Sequence, residues 1–398
     1  MRALVFALLA QGKSVIFNPL RSSDVTHMIK ACRLLGATVT DFADRIEVVG
    51  NLRPADDVID AGNSGQILRF LGAVSALTSE YTILTGDASI RHLRPVQPLL
   101  DGLKQLGAFA VSSRGDGHAP IVIKGPLKGG IALISGEDSQ PVSGLLIASA
   151  FASHPTQLFV TDPGEKPWIS LTLSWFDLLG IPYTNDNFTT YTLPGSAAIT
   201  GFTTTIPSDL SSAAYPIAAA LVTQSELLLT DIDLDATQGD LEVIFQLQKM
   251  GAKITLDKSA KTLYVHPGAC LKGAKIDVNN FIDAVTLFSV IGCFAEGTTE
   301  ISGAKIARHK ESDRIASIVT ELRKMGAKIE EKEDGVIVEQ GKLHGAHLKS
   351  YADHRMALSL TVATLGAVGA STLEDTACVS KSYATFFDHL KSLGARIE

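Results

Sequence analysis

Residues 315–329 read IASIVTELRKMGAKI, and this stretch decides the fold. Counting back 1, 4, 7, 8 and 11 positions from Gly326 gives Met325, Leu322, Val319, Ile318 and Ile315, an apolar stripe at the period of one helix face. Glycine is the residue best able to close such a helix in the left-handed conformation, and Lys328-Ile329 then opens a β-like segment. The same stripe leads into Gly107 through Leu106, Leu103, Leu100, Leu99 and Val96, and into Gly394 through Leu393, Leu390, Phe387, Phe386 and Tyr383. Related phrases end at Gly36, Gly180 and Gly251. The six glycines are spaced by 71, 73, 71, 75 and 68 residues, so one repeated unit accounts for nearly all of the 398-residue chain.

A second, more apolar helix is expected some way ahead of each glycine, beginning near Met1, Gly65, Gln140, Asp209, Asp283 and His354. SGLLIASAFA (143–152), SSAAYPIAAALV (211–222) and AVTLFSVIGCFA (284–295) are hydrophobic on most sides, which predicts burial all round. Strand-like segments lie between the helices, among them YTILTG (81–86), LFVTD (158–162) and GTTEIS (297–302). The reading is an α/β repeat with three units in each of two domains, 1–206 and 207–398, the boundary falling near residues 205–207. A six-unit open solenoid is the alternative, and the missing capping sequences argue against it.

Hydrophobic residues make up 45% of the chain and charged residues 19%, which excludes disordered, collagen-like and coiled-coil classes. A formal charge of −7 gives no long-range attraction to nucleic acid or an anionic membrane, so neither is expected as a partner. The apolar runs are too short for a span of about 18 residues. Ala3–Ala10 after Met1-Arg2 mimics a signal peptide, but the repeat makes it a buried helix. Cys32, Cys270, Cys293 and Cys378 form no CxxC pair, so reduced, mostly buried thiols in a cytoplasmic protein are expected, with no metal site.

Polar residues gather where helices begin. Arg94 and Lys381 lie thirteen residues before their glycines, Arg314 twelve and Lys310 sixteen. Cations there oppose the helix dipole unless an anion lies between them and the free N–H groups. AGNSGQ (61–66), with Arg69 one turn on, is either a phosphate-cradling loop or ordinary turn chemistry. DSQ (138–140) and KESDR (310–314) also open helices, with capping by Ser312 or Asp313 as the plain account. YADHRM (351–356) puts three ionisable groups at the head of an otherwise apolar helix, which is costly unless they face a cleft. Asp283 is expected either to cap its helix or, buried and unpaired, to carry a raised pKa suited to acid–base work.

Taken together, GNSGQILR (62–69), IRHLRPVQPLLDGLKQLGA (90–108), DSQPVSGLL (138–146), NNFIDA (279–284), YADHRMAL (351–358) and CVSKSYATFF (378–387) resemble the enolpyruvyl transferase family, and the likeness spans the chain. The resemblance implies two similar domains, each of three βαβαββ units with buried helices, an inside-out α/β barrel with substrates in the cleft between domains. It implies transfer of the enolpyruvyl group of phosphoenolpyruvate to the 5-hydroxyl of shikimate 3-phosphate, with loss of phosphate and no cofactor, by a monomer. Residue by residue it places Gly65, Arg94, Arg314, Arg355 and Lys381 around phosphoenolpyruvate and Gln140 between the substrates. Arg2, Ser139 and Lys310 then hold shikimate 3-phosphate, Asp283 is the base, and Glu311 a partner in proton transfer.

The sequence departs from the family pattern in a few places. A Pro-Gly-Ser-Lys-Ser loop normally precedes the Asn-Arg that heads the first buried helix, whereas here Met1-Arg2 stand first, so the first domain is read as N-terminally incomplete and an upstream start is expected to restore the loop. Glu165 replaces a common substrate-binding Ser, with Lys166 as its expected compensation, and Ala352 replaces the Asn before Asp-His-Arg. Two rival readings are a sister enzyme acting on UDP-N-acetylglucosamine and a non-catalytic anion-binding descendant. Against the first, the loop of residues 86–98 has no Cys and its Asp87 lies too near the preceding strand, and the second is opposed by Asp283, Glu311, Arg355 and Lys381.

Overall fold

The computed structural model describes residues 1–398, which divide into two compact units, Met1–Ile206 and Pro207–Glu398. All six repeat glycines have positive φ, between 68° and 101°. They close the amphipathic helices Ser23–Leu34, Gln97–Gln105, Lys166–Leu179, Leu241–Lys249, Arg314–Lys324 and Phe386–Ser392. The stripes before Gly107 and Gly326 are buried throughout, whereas before Gly394 only Phe386 and Leu390 are buried and Leu393 is exposed.

The second set of helices forms the cores. In the first unit these are Arg2–Leu9, the π-helical turn Ile67–Leu71 continued by Gly72–Ser75, and Ser139–Ala150. In the second they are Leu210–Val222, Val285–Phe294 and His354–Leu365. Every side chain from Val285 to Cys293 is buried, as is every one from His354 to Ala363. A Cβ at Gly144 would lie 2.7 Å from the Arg69 carbonyl oxygen, so glycine lets the Ser139–Ala150 helix approach the Ile67–Leu71 turn closely. At roughly 25 cal/mol per Å² of apolar surface, this burial dominates the stability of each unit. Arg2–Leu9 lies inside the first core, as a helix of the fold.

Three sheets surround the helices of each unit. In the first unit the strand orders are Thr203–Thr205, Gly12–Phe17, Arg45–Gly50, Thr38–Asp41; then Ile59–Asp60, Tyr81–Thr85, Ile121–Lys124, Phe109–Ser112; then Gly130–Ser135, Thr156–Thr161, Thr190–Leu193, Thr184–Asp186. In each, the first two strands are parallel and the rest antiparallel. A parallel pair requires a crossover; in the second and third sheets it is a buried helix. The resulting β-α-β-α-β-β order recurs in the second unit around Lys275–Asp277 and Thr298–Ser302. There the third sheet is reduced to His347–Lys349 and Thr372–Glu374, and no strand follows Gly394.

The first sheet is completed from a distance. Val15 pairs with Thr203 and Phe17 with Thr205, so the last strand of the first unit takes the outer position beside its first. Cys32 and Cys293 are buried and Cys378 half-buried, but Cys270 is exposed. No helix is long and apolar enough to cross a membrane.

Candidate active site

Aspartates cap three of the buried helices. Asp138, Asp209 and Asp353 accept backbone N–H bonds from Gln140 (3.0 Å), Ser211 (3.1 Å) and Arg355 (2.9 Å). Each cap satisfies a helix-end donor and presents the residues just after it at the mouth of an apolar helix. Ser139 and Gln140, Ser211, and His354 and Arg355 owe their positions to this device.

In the second unit these mouths converge on Asp283. Its Oδ1 accepts from Arg314 Nη1 at 2.6 Å and its Oδ2 from Arg355 Nη2 at 3.1 Å. Arg314, 1% exposed, also donates to Glu311 Oε2 (2.8 Å) and through Nε to Asp353 Oδ2 (2.8 Å). Arg355 donates to Ser211 Oγ (2.8 Å) and lies over the Tyr215 ring. Lys381 bonds Glu311 Oε1, and Ser312 Oγ donates to Asp353 (3.0 Å). Charge-assisted bonds of this kind are short and strong, and here they tie together residues far apart in the chain.

Burial alone would raise the Asp283 pKa, but the charges of Arg355, Arg314 and Lys310 outweigh it and hold the carboxyl well below its ordinary range. The expectation of a buried, unpaired carboxylate with a raised pKa is therefore corrected: the carboxylate is half-buried and paired with two arginines. Nor does it cap a helix; it sits in the 3-10 turn Asn279–Ala284. Burial likewise lowers both guanidinium pKa values, and Asp353, Glu311 and Asp283 carry Arg314 well above its usual value, as Tyr215 and Asp283 do Arg355. His354 is buried and neutral, pushed down by desolvation against the pull of Glu311, and its Nδ1 has no hydrogen-bond partner.

Glu311, Asp353 and His354 offer ligand atoms within 4.8 Å of one another. A metal ion there would have to displace Arg314 and Lys381 from those carboxylates. A small cavity lined by Ser211, Tyr215, Asp240, Asp283 and Arg355 lies beside the cluster. Asp240 is 1% exposed, its Oδ2 has no partner, and burial with help from Asp209 and Asp283 raises its pKa to about 8.

The first unit builds a separate cationic cluster. Arg94 donates to the Asn63 carbonyl (2.9 Å), while Arg69 donates to Pro95 O (2.7 Å) and Gln140 Oε1 (3.3 Å) and pairs with Asp138 (3.1 Å). A Cβ at Gly65 would lie 2.6 Å from Arg69 Nη1, 2.8 Å from Gln140 Oε1 and 2.9 Å from Arg94 Nη2, so only glycine leaves this corner open. Arg2 donates to Thr172 Oγ1 (2.7 Å) and Trp168 O (2.8 Å) and stands over the Phe70 ring. It is 7% exposed, and desolvation lowers its pKa to about 9. Its hydrogen bonds go to neutral acceptors, so its charge is held at a desolvation cost.

Most of the sequence-derived site residues meet in these clusters, while Arg2 bonds Thr172 and Trp168 and Ser139 bonds Glu165. Asp283, Glu311, Arg314, Arg355 and Lys381 are joined directly, with Lys310 adjacent to Glu311 and acting on Asp283. Gly65, Arg94 and Gln140 meet in the first unit, and Arg2 reaches Ser143, one turn from Ser139, through Thr172. Glu165 departs from expectation: it is buried and accepts from Ser139. Lys166 rests over the Phe188 ring. Sequence reasoning assigned no role to Ser211 and Tyr215, in SDLSSAAYPIAAAL (208–221), or to Asp240, in QGD (238–240).

Residues 1–390 match the family model of EPSP synthase (3-phosphoshikimate 1-carboxyvinyltransferase). The chain is 39% identical to the 3-phosphoshikimate 1-carboxyvinyltransferase of Chlamydia pneumoniae, covering all of this chain and 89% of the relative. It is 40% identical to that of Methanocaldococcus jannaschii, covering all of this chain and 94% of the relative. Among solved structures it is similar to an EPSP synthase from Acinetobacter baumannii, with a TM-score of 0.81 at 26% identity, over all of this chain and 93% of that one.

Proposed function

The chain belongs to the EPSP synthase family, the 3-phosphoshikimate 1-carboxyvinyltransferases, and from that premise we propose how its residues carry the reaction. The enolpyruvyl group of phosphoenolpyruvate passes to the 5-hydroxyl of shikimate 3-phosphate, and inorganic phosphate leaves. We assign Arg94, Arg314, Arg355, Lys381 and the Gly65 backbone to phosphoenolpyruvate, and Gln140 to both substrates. Arg2, Ser139 and Lys310 are assigned to shikimate 3-phosphate.

The observation that carries this reading is Asp283 held between two buried arginines. The carboxylate is ionised but a poor base while both guanidiniums bond it. When the phosphate and carboxylate of phosphoenolpyruvate engage Arg314 and Arg355, Asp283 loses that stabilisation and its basicity rises. The base is thus released by the substrate it serves. Asp283 takes the proton of the 5-hydroxyl as its oxygen bonds to C2, while the Lys381–Glu311 pair delivers a proton to the methylene carbon. In the second half the Lys381–Glu311 pair takes a proton back from the methyl carbon as the C2–O bond to phosphate breaks, and Asp283 passes the hydroxyl proton to the departing phosphate. The buried Arg2 guanidinium, without a carboxylate of its own, is read as a counter-charge for the phosphorylated acceptor.

Phosphate release from phosphoenolpyruvate plus shikimate 3-phosphate tests the assignment. Asp283→Asn and Glu311→Gln should each lower kcat by about 10²–10⁴, with circular dichroism unchanged. A folded protein that binds both anions without releasing phosphate would replace this reading with that of an anion-binding protein. Release only with UDP-N-acetylglucosamine would reassign the acceptor. The buried free thiols Cys32 and Cys293 fit a reducing, cytoplasmic setting, and we take the protein to be a monomer, which sedimentation checks.

A further inference from the structure

Ser350–Asp353 forms a tight turn immediately before the helix that carries His354 and Arg355. The Asp353 amide donates to Ser350 O (3.0 Å), and both central residues, Tyr351 and Ala352, have positive φ (57° and 54°). This is the pattern of a type I′ turn, which ordinarily uses Asn-Gly or Asp-Gly because left-handed backbone is unfavourable for residues with a Cβ. The strain sits at a place with consequences. Asp353, next in the chain, caps Arg355, takes Arg314 Nε and accepts from Ser312. A turn that relaxed would rotate Asp353 away from all three.

The turn is gripped from outside by Glu321, whose side chain is fully buried in the Arg314–Lys324 helix. Its Oε1 accepts from the Tyr351 hydroxyl (2.7 Å) and Lys324 Nζ (2.7 Å). Its Oε2 accepts from the Lys349 amide (3.0 Å) and the same ammonium (2.8 Å). The carboxylate therefore holds the chain entering the turn and the side chain at its first strained position. Ser350 Oγ, donating to Asp375 O (3.0 Å), secures the opposite side. Burial and the Glu321 bond push the Tyr351 phenol up to about 12, so it remains a donor at any working pH.

We propose that Glu321 and Tyr351 form a clamp that holds the strained Tyr351-Ala352 turn and thereby positions Asp353, Arg314 and Arg355 for the reaction. Both are positioning residues: neither touches the substrate-binding groups directly, and the assignment rests on the family reaction described above. The alternative is that the contact only adds stability, and the two differ in what a relaxed turn would do.

Tyr351→Phe removes one hydroxyl and keeps the ring. It should lower kcat/KM for phosphoenolpyruvate about tenfold, and hydrogen exchange at the Asp353 and Arg355 amides should accelerate. Ala352→Gly, which relieves the strain without restoring the bond, should return most of both losses in the double variant. Unchanged kcat/KM in Tyr351→Phe overturns the proposal, and so does a double variant no better than the single one. Hydrogen exchange needs no turnover: if the wild type releases no phosphate, the parent reading falls, while unchanged exchange in Tyr351→Phe overturns the clamp on its own.

Discussion

Glu165 accepts both hydrogen bonds that Ser139 offers, from its backbone amide (3.0 Å) and its hydroxyl (2.9 Å), through the single oxygen Oε2. The pair is buried and closes the mouth of the Ser139–Ala150 helix with a carboxylate of the chain's own.

A phosphorylated acceptor approaching Ser139 therefore meets a like charge. At about 4 Å such a pair repels by roughly 1–4 kcal/mol between water and a surface-like dielectric. Glu165→Gln keeps an acceptor for Ser139 and removes the charge. The KM for shikimate 3-phosphate should fall about tenfold, with a smaller change for phosphoenolpyruvate. Steady-state kinetics in both substrates decides it, and a higher KM would show that the carboxylate assists binding.

Gly65→Ala places a methyl group against Arg69, Gln140 and Arg94. The side-chain ends must shift, and Arg94 and Gln140 are assigned to phosphoenolpyruvate. Loss of one charge-assisted contact costs about 1.5–3 kcal/mol, so the KM for phosphoenolpyruvate should rise about 10- to 150-fold. Thermal stability should hardly change. Equal KM values would place phosphoenolpyruvate elsewhere.

Arg314 pairs with Asp283, Glu311 and Asp353 from one buried guanidinium. Arg314→Met leaves the carboxylates facing one another without it, and breaking a buried pair this way costs about 3–5 kcal/mol. Urea unfolding should show that loss, and the added change Asp283→Asn should recover part of it. Additive losses in the double variant would mean the two residues are not coupled.

Asp240 provides the pH test. Its folded pKa, about 8, lies above the reference 3.8, so the protein binds this proton more tightly when folded. The associated stability is complete below about pH 4, declines as pH rises, and is gone once pH passes 8. Asp240→Asn cannot ionise. Its thermal midpoint should match wild type near pH 4 and exceed it increasingly up to pH 8. Parallel curves across that window would show that Asp240 is ionised throughout.

The architecture was legible because it repeats. A stripe closed by glycine, found six times, outweighs the ambiguity of any one segment, and the buried helices begin close to the expected residues. Asp283 was harder. Its partners Arg314 and Arg355 lie 31 and 72 positions on, so composition around Asp283 shows an acid in an apolar helix and nothing of the cations that reverse its pKa. Glu321 resembles one half of a surface Glu–Lys pair with Lys324, and only the return of the chain at Lys349 and Tyr351 buries it. Asp240 drew no role from QGD because residues it shares a cavity with, Ser211, Tyr215, Asp283 and Arg355, lie elsewhere in the chain.

The parallel pairing of Thr203–Thr205 with Val15–Phe17 has a bearing on how the protein is made. Ser14 Oγ accepts from the Phe202 amide, 188 positions away, so the first sheet stays incomplete until the ribosome has passed residue 205. At roughly 5–20 residues per second that takes about 10–40 s. Throughout this interval the Gly12–Phe17 strand presents an unpaired edge, the kind of surface that recruits other strands. The nascent first unit thus depends on its last strand for closure, and translation speed across its 206 residues sets how long that edge is open to chaperones.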